Sequence, residues 1–273
     1  MKDGGYAVTG YETEIAALTD RGLVRPSNED CFVVLQNLAL PSQYLALASV
    51  FDGVGGQVHG GRASSAAAKY LAQLVGDSSL PPASRRSPNV ELEALMQELH
   101  NRLKLDGLRD PALQGMATTA TVALLGKAFP TSLWIGHVGD SPAFRLRGGQ
   151  LQKLIREDSV VGDLVREGLV APEDAARHPQ RHLITQALGS YRGISPHIAA
   201  YPVEPGDCFM LCTDGLTTMV SEDAIRSILE ADPPPTACKQ LIEAANGAGG
   251  IDNVTVIVMR FIRSATGSCD GIL

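Results

Sequence analysis

The segment Val50-Phe51-Asp52-Gly53-Val54-Gly55-Gly56 places a carboxylate at the end of an apolar run and follows it with glycines. The run itself, Tyr44 to Phe51, is rich in leucine, valine and aromatic residues, which predicts a strand. A single Asp-Gly pair after a strand is most often a turn. The end of a strand in a rigid sheet is also a position that can hold an oxygen ligand in place. Acidic residues elsewhere in the chain decide between these two interpretations.

Four other acidic segments adjoin strand-like apolar runs, as Asp52 does. They are Asn28-Glu29-Asp30, Val138-Gly139-Asp140-Ser141, Leu211-Cys212-Thr213-Asp214-Gly215 and Gly249-Gly250-Ile251-Asp252-Asn253. If these carboxylates converge, they cannot all remain ionised in one place without cations. Carboxylates and water molecules are the ligands that suit Mg²⁺ or Mn²⁺. A two-metal centre of this kind can bridge a hydroxide and direct it in line at phosphorus, so the pattern favours phosphate-ester chemistry.

The strand-like and helical segments occur in groups, which predicts an α+β fold with antiparallel sheets rather than a βαβ alternation. Apolar residues at helical spacing predict helices over Gly60 to Val75 and around Leu92 to Leu103. Two further helices are expected near Ser221 to Leu229, with Ser221 as the N-cap and acidic residues in the first turn, and near Thr236 to Ala245. Strands are expected over 14–18, 31–35, 44–51, 118–125, 132–138, 143–146, 151–155, 198–203, 208–213 and 253–262. The four strands between 118 and 155 are expected to form one antiparallel meander, with Gly148-Gly149 as a hairpin turn.

The domain organisation predicted from the sequence is simple. Neither an internal repeat nor a shift in composition marks a second domain, so residues 1–264 are expected to form one domain, followed by a short tail over 265–273. The stretch from Gly76 to Asn89 is rich in proline and serine and predicts a loop. A polar, partly helical stretch covers Asp158 to His182, with a helix expected to start at Pro172.

Composition and charge exclude several classes of function. The 273 residues carry a formal net charge of −7, which argues against nucleic acid or an anionic membrane as the main partner. The sequence holds no apolar run long enough to span a membrane and no apolar leader, so the protein is expected to be cytoplasmic. Its five cysteines include no C-x-x-C pair, which predicts small buried side chains rather than a zinc site or a disulfide framework.

The ordered set of motifs resembles the metal-dependent Ser/Thr protein phosphatases of the 2C family, bacterial type. The matching residues run in family order from about residue 12 to residue 262, and their combination is far more specific than any one of them. They are Arg25-x-x-Asn28-Glu29-Asp30, Asp52-Gly53-x-Gly55-Gly56, Met116-Ala117-Thr118-Thr119, Gly139-Asp140-Ser141, Leu211-x-Thr213-Asp214-Gly215-Leu216 and Asp252-Asn253-Val254-Thr255. The resemblance implies an αββα sandwich, in which two antiparallel sheets are flanked by helix pairs and metals lie at one end of the sheets.

The resemblance also implies a role for each matching residue. Asp52 would bridge two tightly held Mn²⁺ or Mg²⁺ ions, with the Gly53 carbonyl on one of them and Asp214 and Asp252 on the other. Asp140, together with Asp214, would form a weaker third site. The remaining matches act around the metals: Glu29 and Asp30 would hold metal-bound waters, and Arg25 would grip the phosphate with its guanidinium fork.

The partners implied are phosphoproteins, a cognate Ser/Thr kinase and the substrates of that kinase, with the enzyme acting as a monomer. The chain departs from the family pattern at a few positions. Val54 stands where His or Met is common, and Pro142 follows Gly139-Asp140-Ser141 where Arg is usual. Glu157-Asp158-Ser159 replaces Asp-His-Ser, and Gln186 replaces an Arg. None of these departures removes a presumed ligand, but they leave the acid that protonates the leaving group unassigned. None of the six histidines is expected to be a metal ligand, and His59 is singled out among them because it closely follows the glycine pair.

Two alternative functions remain. Gly139-Asp140-Ser141 after a strand is similar to the turn of serine esterases, which would make Ser141 a nucleophile. Such an enzyme needs a histidine base late in the chain, whereas the last histidine here is His197. The second alternative is a non-catalytic binding module with a phosphatase-like fold, against which the presence of Asp52, Asp214 and Asp252 together argues.

Overall fold

The computed structural model describes residues 6–8, 11–36, 40, 43–54, 59–76, 87–127 and 131–263. They form two antiparallel sheets. The first has the strand order β1-β2-β12-β11-β8-β9, and the second has the order β10-β7-β6-β4-β3, with the short β5 paired to β4. In the first sheet the strands are β1 (Tyr6–Val8), β2 (Tyr11–Asp20), β8 (Ala143–Arg147), β9 (Gln150–Lys153), β11 (Cys208–Cys212) and β12 (Val254–Arg263). In the second they are β3 (Asp30–Gln36), β4 (Tyr44–Val54), β5 (Ala117–Thr118), β6 (Ala120–Gly126), β7 (Ser132–Val138) and β10 (His197–Pro202).

Helices cover the outer face of each sheet. Helices α1 (Gly60–Gly76) and α2 (Pro88–Arg109) pack on the second sheet, and α5 (Glu222–Ala231) and α6 (Pro234–Gly247) pack on the first. Two shorter helices, α3 (Val160–Arg166) and α4 (Asp214–Thr217), and two 3₁₀ turns, Pro111–Leu113 and Pro172–Arg177, lie in the connections. The result is the predicted αββα sandwich. Within the described ranges, no helix combines the length and apolarity that a membrane crossing requires.

The central strands are buried on both faces, and each face packs against a different layer. On β11, Cys208, Met210 and Cys212 face the helices, whereas Phe209 and Leu211 face the other sheet. This division follows from the period of two along a strand. Cys208 and Cys212 therefore share a face, and both are buried, as the sequence predicted for the cysteines. The described cysteines are all free.

The same alternation holds for β4 and β12 and produces the core between the sheets. Phe209 and Phe261 meet there edge to face, with ring centroids 5.7 Å apart. Burying apolar surface contributes roughly 25 cal/mol per Å², so two sheets covered on both faces bury far more than either could alone. This packed core holds the two sheets rigidly together, so side chains at the strand ends are presented in fixed positions.

The predicted meander of four consecutive strands is wrong. Strands β6 and β7 pair with each other in the second sheet, but β8 and β9 belong to the first, where β8 pairs with β11. The chain changes sheets at Gly139-Asp140-Ser141-Pro142, between β7 and β8. Glycine at position 139, with φ +108°, allows this crossing because other residues rarely adopt that backbone conformation. The Gly148-Gly149 hairpin between β8 and β9 is confirmed.

Other boundaries differ by a few residues. Helix α2 begins at Pro88, inside the stretch predicted as a loop, because proline is well suited to the first turn of a helix. Residues 77–86 of that loop and the tail 265–273 lie outside the described residues, as do Gly55 and Gly56. The predicted helical start at Pro172 is confirmed as a 3₁₀ turn.

Candidate active site

A cavity of about 330 Å³ opens at the end of the sandwich where both sheets present their acidic strand ends. It collects residues from seven separate parts of the chain. The lining comprises Arg25, Glu29, Asp52, Gly53, Val54, Thr119, Asp140, His182, Ile184, Asp214, Ile251, Asp252 and Asn253. All the predicted ligand positions, and the predicted phosphate-binding arginine, therefore lie at one place.

Asp52 is anchored by its backbone at the end of β4. Its amide donates to the Thr119 hydroxyl at 3.0 Å, and its carbonyl accepts from the Thr119 amide and the Thr118 hydroxyl, both at 2.8 Å. Because the main chain is held on both sides, the carboxylate needs no contact from these threonines and is left to face the cavity. Across the sheet, Asp52 is paired directly with Asp30 of β3.

Two threonines at the end of the first sheet form hydrogen bonds with Asp30. Its Oδ2 atom accepts hydrogen bonds from the Thr213 hydroxyl at 2.8 Å and from the Thr255 hydroxyl at 2.7 Å. Thr213 follows β11 and Thr255 belongs to β12, so this contact ties the end of the second sheet to that of the first. Asp30 is therefore a structural junction between the sheets as well as an acidic residue close to the cavity.

Asn253 fixes the loop that carries Arg25 and Glu29. Its Oδ1 atom accepts from the Glu29 amide at 2.8 Å, and its Nδ2 atom donates to the carbonyls of Arg21 at 2.8 Å and Ser27 at 2.9 Å. The side chain is buried, and every one of its polar contacts is to backbone. This asparagine therefore sets the path of residues 21–29 around the cavity.

Glycines allow the backbones around the cavity to approach one another closely. A Cβ atom on Gly53 would lie 2.4 Å from the Gly60 carbonyl carbon, and one on Gly215 would lie 1.9 Å from the Asn253 carbonyl oxygen. Neither position has room for a side chain, because the obstructing atoms are backbone. The close approach leaves the Gly53 backbone on the cavity wall.

The turn that carries Asp140 is held by a buried polar network. His137, completely buried, contacts the Thr121 hydroxyl through Nδ1 at 2.8 Å and the Gly139 carbonyl through Nε2 at 2.7 Å. The Gly139 amide donates to the buried carboxylate of Asp158 at 3.1 Å. Asp158, which stands in a segment that departs from the family pattern, thus holds the turn next to Asp140.

Ser141 lies on the opposite side of that turn and is fully buried. Its hydroxyl is hydrogen-bonded to the Thr119 hydroxyl at 2.7 Å, and its carbonyl accepts from Thr121 at 2.6 Å. A nucleophilic serine must be reachable by substrate and close to a base. Ser141 meets a threonine instead of a histidine, which argues against the esterase alternative.

Burial and mutual repulsion raise the pKa values of the acidic cluster. Burial raises the pKa of Asp140 to about 8 and that of Asp30 to about 7, and the charge of Asp214 adds to both effects. Burial also raises the pKa of Asp52 well above its ordinary value, followed by repulsion from Asp30. The pKa of Asp214 is raised by burial and by Asp252. The negative charge of the acidic cluster is therefore not balanced by nearby positive charge, and a bound cation would balance it.

Arg25 supplies one positive charge at the rim. Its Nη2 atom donates to Asp252 Oδ2 at 2.7 Å, and this hydrogen bond raises the pKa of the guanidinium. Both side chains remain partly exposed, 47% for Arg25 and 33% for Asp252. In this arrangement the Asp252 carboxylate forms an ion pair with the arginine.

The donor set fits hard divalent cations that keep part of their water. The groups on the cavity wall are carboxylates and the Gly53 backbone, and oxygen donors of this kind suit Mg²⁺ and Mn²⁺. Among the described residues, no three His, Cys, Asp or Glu side chains converge closely enough to hold an ion by themselves. Backbone carbonyl and water ligands would have to complete the coordination, and Asp252 would have to exchange Arg25 for a metal.

The family model described as protein phosphatase 2C matches residues 28–233 of this chain. The chain belongs to the protein phosphatase 2C family. Its relatives include the serine/threonine protein phosphatase PstP of Mycobacterium tuberculosis, 35% identical over 258 residues, which are 94% of this chain and 47% of PstP. They also include the protein phosphatase PhpP of Streptococcus pneumoniae, 33% identical over 248 residues, which are 90% of this chain and 96% of PhpP. The chain thus spans about half of PstP but nearly all of PhpP.

A solved structure of the same family shows the fold in experimental form. The catalytic domain of PstP, in complex with two manganese ions, superposes with a TM-score of 0.77 at 32% identity and covers 93% of this chain and 100% of that one. This agreement confirms the αββα architecture and the family resemblance inferred from the motifs.

The structure brings most of the predicted site residues to the cavity. Arg25, Glu29, Asp52, Gly53, Asp140, Asp214 and Asp252 all line the cavity. Asp30 lies behind the wall, where threonines hold it. Of the described histidines, His182 lines the cavity and His59 does not, although Gly60, which follows His59, packs against Gly53 on the cavity wall.

Sequence reasoning assigned no role to several residues that build the site. Asn253, Thr213, Thr255, Thr119 and His137 organise the backbone and Asp30 without contributing a carboxylate. Four of them fall inside or beside the quoted motifs, so their position next to acidic residues was the available signal. His137 precedes Val138-Gly139-Asp140-Ser141 by one residue and gave no separate signal.

Proposed function

We propose that this chain hydrolyses phosphoserine and phosphothreonine monoesters on proteins, with divalent cations as cofactors, and thereby opposes a Ser/Thr kinase. The observation that carries this proposal is the cavity in which six predicted site residues with charged side chains meet, five acidic and one an arginine. The relatives named PstP and PhpP are phosphatases, and the motif residues of this chain are the ones that line the cavity.

The residues that would hold the cations are Asp52, the Gly53 carbonyl, Asp214 and Asp252, with Asp140 and Asp214 for a weaker third ion. Bound there, the cations would lower the pKa of coordinated water and neutralise phosphate charge. Mn²⁺ is supported by the manganese complex of PstP, and the oxygen-only donor set suits Mg²⁺ as well. Glu29 would orient coordinated water from the rim of the cavity, and Asp30 would do so from behind the wall.

Arg25 would bind the phosphate of the substrate. A guanidinium presents donors in a rigid fork that matches two phosphate oxygens, and Arg25 lies at the cavity mouth with nearly half of its side chain exposed. If Asp252 held a cation, the guanidinium of Arg25 would lose its carboxylate partner and its donors would be available to substrate. The acidic wall would otherwise repel a phosphate, so Arg25 and the cations act together in binding.

The location and partners belong to the same proposal. We propose cytoplasmic action as a monomer on phosphoproteins, including a cognate kinase and its substrates. The free cysteines of the described residues suit a reducing compartment, and the net charge of −7 does not suit nucleic acid as a partner.

The proposal is tested by hydrolysis of an aryl phosphate and of a phosphothreonine peptide with Mn²⁺, and again with excess chelator. We expect turnover of both substrates with Mn²⁺ and its loss with chelator. Asp252→Asn should abolish the activity, whereas Asp223→Asn, at a side chain that is 92% exposed on α5, serves as the matched control and should retain it. Full turnover in excess chelator would refute the proposed function, and so would the absence of turnover with every divalent cation tested.

A further inference from the structure

Three apolar side chains beside the cavity are exposed in one patch. Leu23 is 64% exposed, Val24 is 65% exposed and Ile251 is 47% exposed. A single exposed leucine or valine is ordinary on a protein surface, but a cluster of them at one location marks a contact surface. Leu23, Val24 and Ile251 are called the rim patch below.

The rim patch is built on a rigid support. The amides of Leu23 and Val24 both donate to the Gly250 carbonyl, at 2.8 and 3.2 Å, which joins the loop before Arg25 to the loop before Asp252. Gly22 sits at φ +74°, and a Cβ atom there would lie 2.2 Å from the Asp252 carbonyl oxygen. The two loops are in backbone contact, so the apolar side chains are presented in a fixed place.

The rim patch is continuous with the candidate active site. Ile251 lines the cavity itself, and Val24 directly precedes Arg25. Consecutive Cα atoms are about 3.8 Å apart, so Leu23 lies within about 8 Å of the Arg25 backbone. An extended peptide advances about 3.3 Å per residue. A peptide whose phosphate contacts Arg25 would therefore bring a side chain within about three residues of the phosphoresidue over the patch.

We propose that the rim patch binds an apolar side chain of the phosphoprotein substrate, located within about three residues of the phosphoserine or phosphothreonine. This assignment rests on the proposed function and deepens it, because it names a substrate class: phosphorylated segments with a neighbouring leucine, isoleucine, valine or phenylalanine. A small aryl phosphate reaches Arg25 and the acidic wall without covering Leu23 or Val24.

The test compares pairs of phosphothreonine peptides. The two members of each pair differ only by leucine or serine at one position, which lies up to three residues before or after the phosphoresidue. The aryl phosphate is the reference substrate, and all assays use the full chain with Mn²⁺. We expect the wild-type kcat/KM to be about tenfold higher for the leucine peptides on one side. The double variant Leu23→Ser/Val24→Ser should lose this preference while its kcat/KM ratio of serine peptide to aryl phosphate is unchanged.

Val24→Ser and Val90→Ser form a matched pair of exposed valine substitutions. Val90 lies in the first turn of α2 next to Glu91, which contacts Tyr44 at the far end of β4 from Asp52. Val90→Ser should leave the leucine preference intact, and Val24→Ser should reduce it. Urea unfolding of each variant checks that the fold is retained.

A wild-type enzyme that cleaves the aryl phosphate but shows no leucine preference would overturn the rim-patch assignment and leave the proposed function standing. A preference that survives in the double variant would overturn it too. A dimer that the double variant dissociates would make the patch a contact between copies of this chain. Absence of aryl phosphate hydrolysis would refute the proposed function itself, and the assignment with it.

Discussion

Asp30 and Asp52 stand directly opposite each other on β3 and β4, two carboxyl side chains in register across one antiparallel pair. Residues opposite one another in such a pair have Cβ atoms about 5 Å apart, where like charges destabilise the sheet. The repulsion from Asp30 is the second cause, after burial, that raises the pKa of Asp52. The hydrogen bonds from Thr213 and Thr255 act against burial and lower the pKa of Asp30. The threonine contacts therefore decide how much negative charge this pair can hold.

Replacing Thr255 by valine should destabilise the protein. The change removes one of the two hydroxyl donors of a buried carboxylate, and such a loss costs about 1–3 kcal/mol. Thr19, whose hydroxyl lies 2.7 Å from that of Thr255, is the matched control because it is one step further from Asp30. Urea unfolding should show a larger loss for Thr255→Val than for Thr19→Val. Equal losses of unfolding free energy in the two variants would mean that the hydrogen bond from Thr255 to Asp30 does not contribute measurably to stability.

The metal-free protein should become less stable as the pH rises from 6.5 to 8.5. Asp140 and Asp30 have pKa values raised to about 8 and about 7, so the folded state retains protons that the unfolded state has already released. Above the raised pKa values the buried carboxylates are charged in the folded state, and the repulsion is fully present. Urea unfolding in chelator at the two pH values measures the fall in the free energy of unfolding.

Two controls accompany this pH dependence. Asp140→Asn should reduce it, because the amide does not titrate and only the contribution of Asp30 and its other neighbours remains. Addition of Mn²⁺ should stabilise the protein more strongly at the higher pH, since the carboxylates must lose their protons before they bind the ion. A metal-free stability that rises between pH 6.5 and 8.5 would contradict the raised pKa values.

Arg25→Ala should weaken substrate binding more than Mn²⁺ binding. The guanidinium is assigned to phosphate, and its removal also releases the Asp252 carboxylate from a partly exposed ion pair. Such pairs contribute about 0–1 kcal/mol, so Mn²⁺ affinity should stay within about fivefold of wild type or become slightly tighter. The KM for an aryl phosphate should rise by about tenfold or more. Arg21→Ala, which changes another arginine of the same loop, should alter neither quantity. Calorimetry that shows Mn²⁺ affinity collapsing with an unchanged KM would contradict the assignment.

Ser141→Ala should retain phosphatase activity within roughly tenfold, which is about 1.4 kcal/mol of barrier. The hydroxyl is fully buried and bonded to Thr119, so its loss disturbs packing rather than chemistry. Asp252→Ala should lower kcat by several orders of magnitude because the acidic wall loses a predicted ligand. Both variants are measured on an aryl phosphate and an aryl acetate with equal Mn²⁺. An inactive Ser141→Ala beside an active Asp252→Ala would establish the serine mechanism instead.

His137 should destabilise the fold as the pH falls below about 6.5. Burial lowers the pKa of this imidazole to about 4, so the unfolded state takes up a proton before the folded state does. Between those values the difference amounts to about 3 kcal/mol. His137→Gln removes the titrating group, so the gap in unfolding free energy between variant and wild type should narrow from pH 7 to pH 4.5. Comparison of the two proteins cancels the opposite trend of the carboxylates, and a constant gap would contradict the prediction.

Much of the fold was accessible from the sequence because local patterns report local structure. Continuous apolar runs predicted the buried strands, such as β11 and β4, and helical spacing predicted α1 and α2. Strand partners were not accessible in the same way. The contact between Thr19 and Thr255 joins residues 236 positions apart, and no local pattern carries that information. The wrong meander has the same origin, since neighbours along the chain were assumed to be neighbours in one sheet.

The candidate site likewise contains residues that the sequence predicted and residues that it did not. Carboxylates next to strand ends are conspicuous in a sequence, so the acidic residues around the cavity were all predicted. Asn253 and His137 act through hydrogen bonds to backbone atoms of segments that are distant in sequence or folded back in a turn. Their importance depends on the tertiary arrangement and not on residue type. The ion pair of Arg25 with Asp252 was missed for the same reason, because its members are 227 positions apart.

Strand β12 lies between β2 and β11 in the middle of the first sheet, yet it is the last strand of the described chain. During synthesis on the ribosome, Asp52, Asp140 and Asp214 emerge well before Asp252, Asn253 and the strand that joins β2 to β11. Until then Asp30 lacks Thr255, the loop before Arg25 lacks Asn253, and the first sheet is in two separate parts. The growing chain therefore has no complete cavity until translation has passed β12.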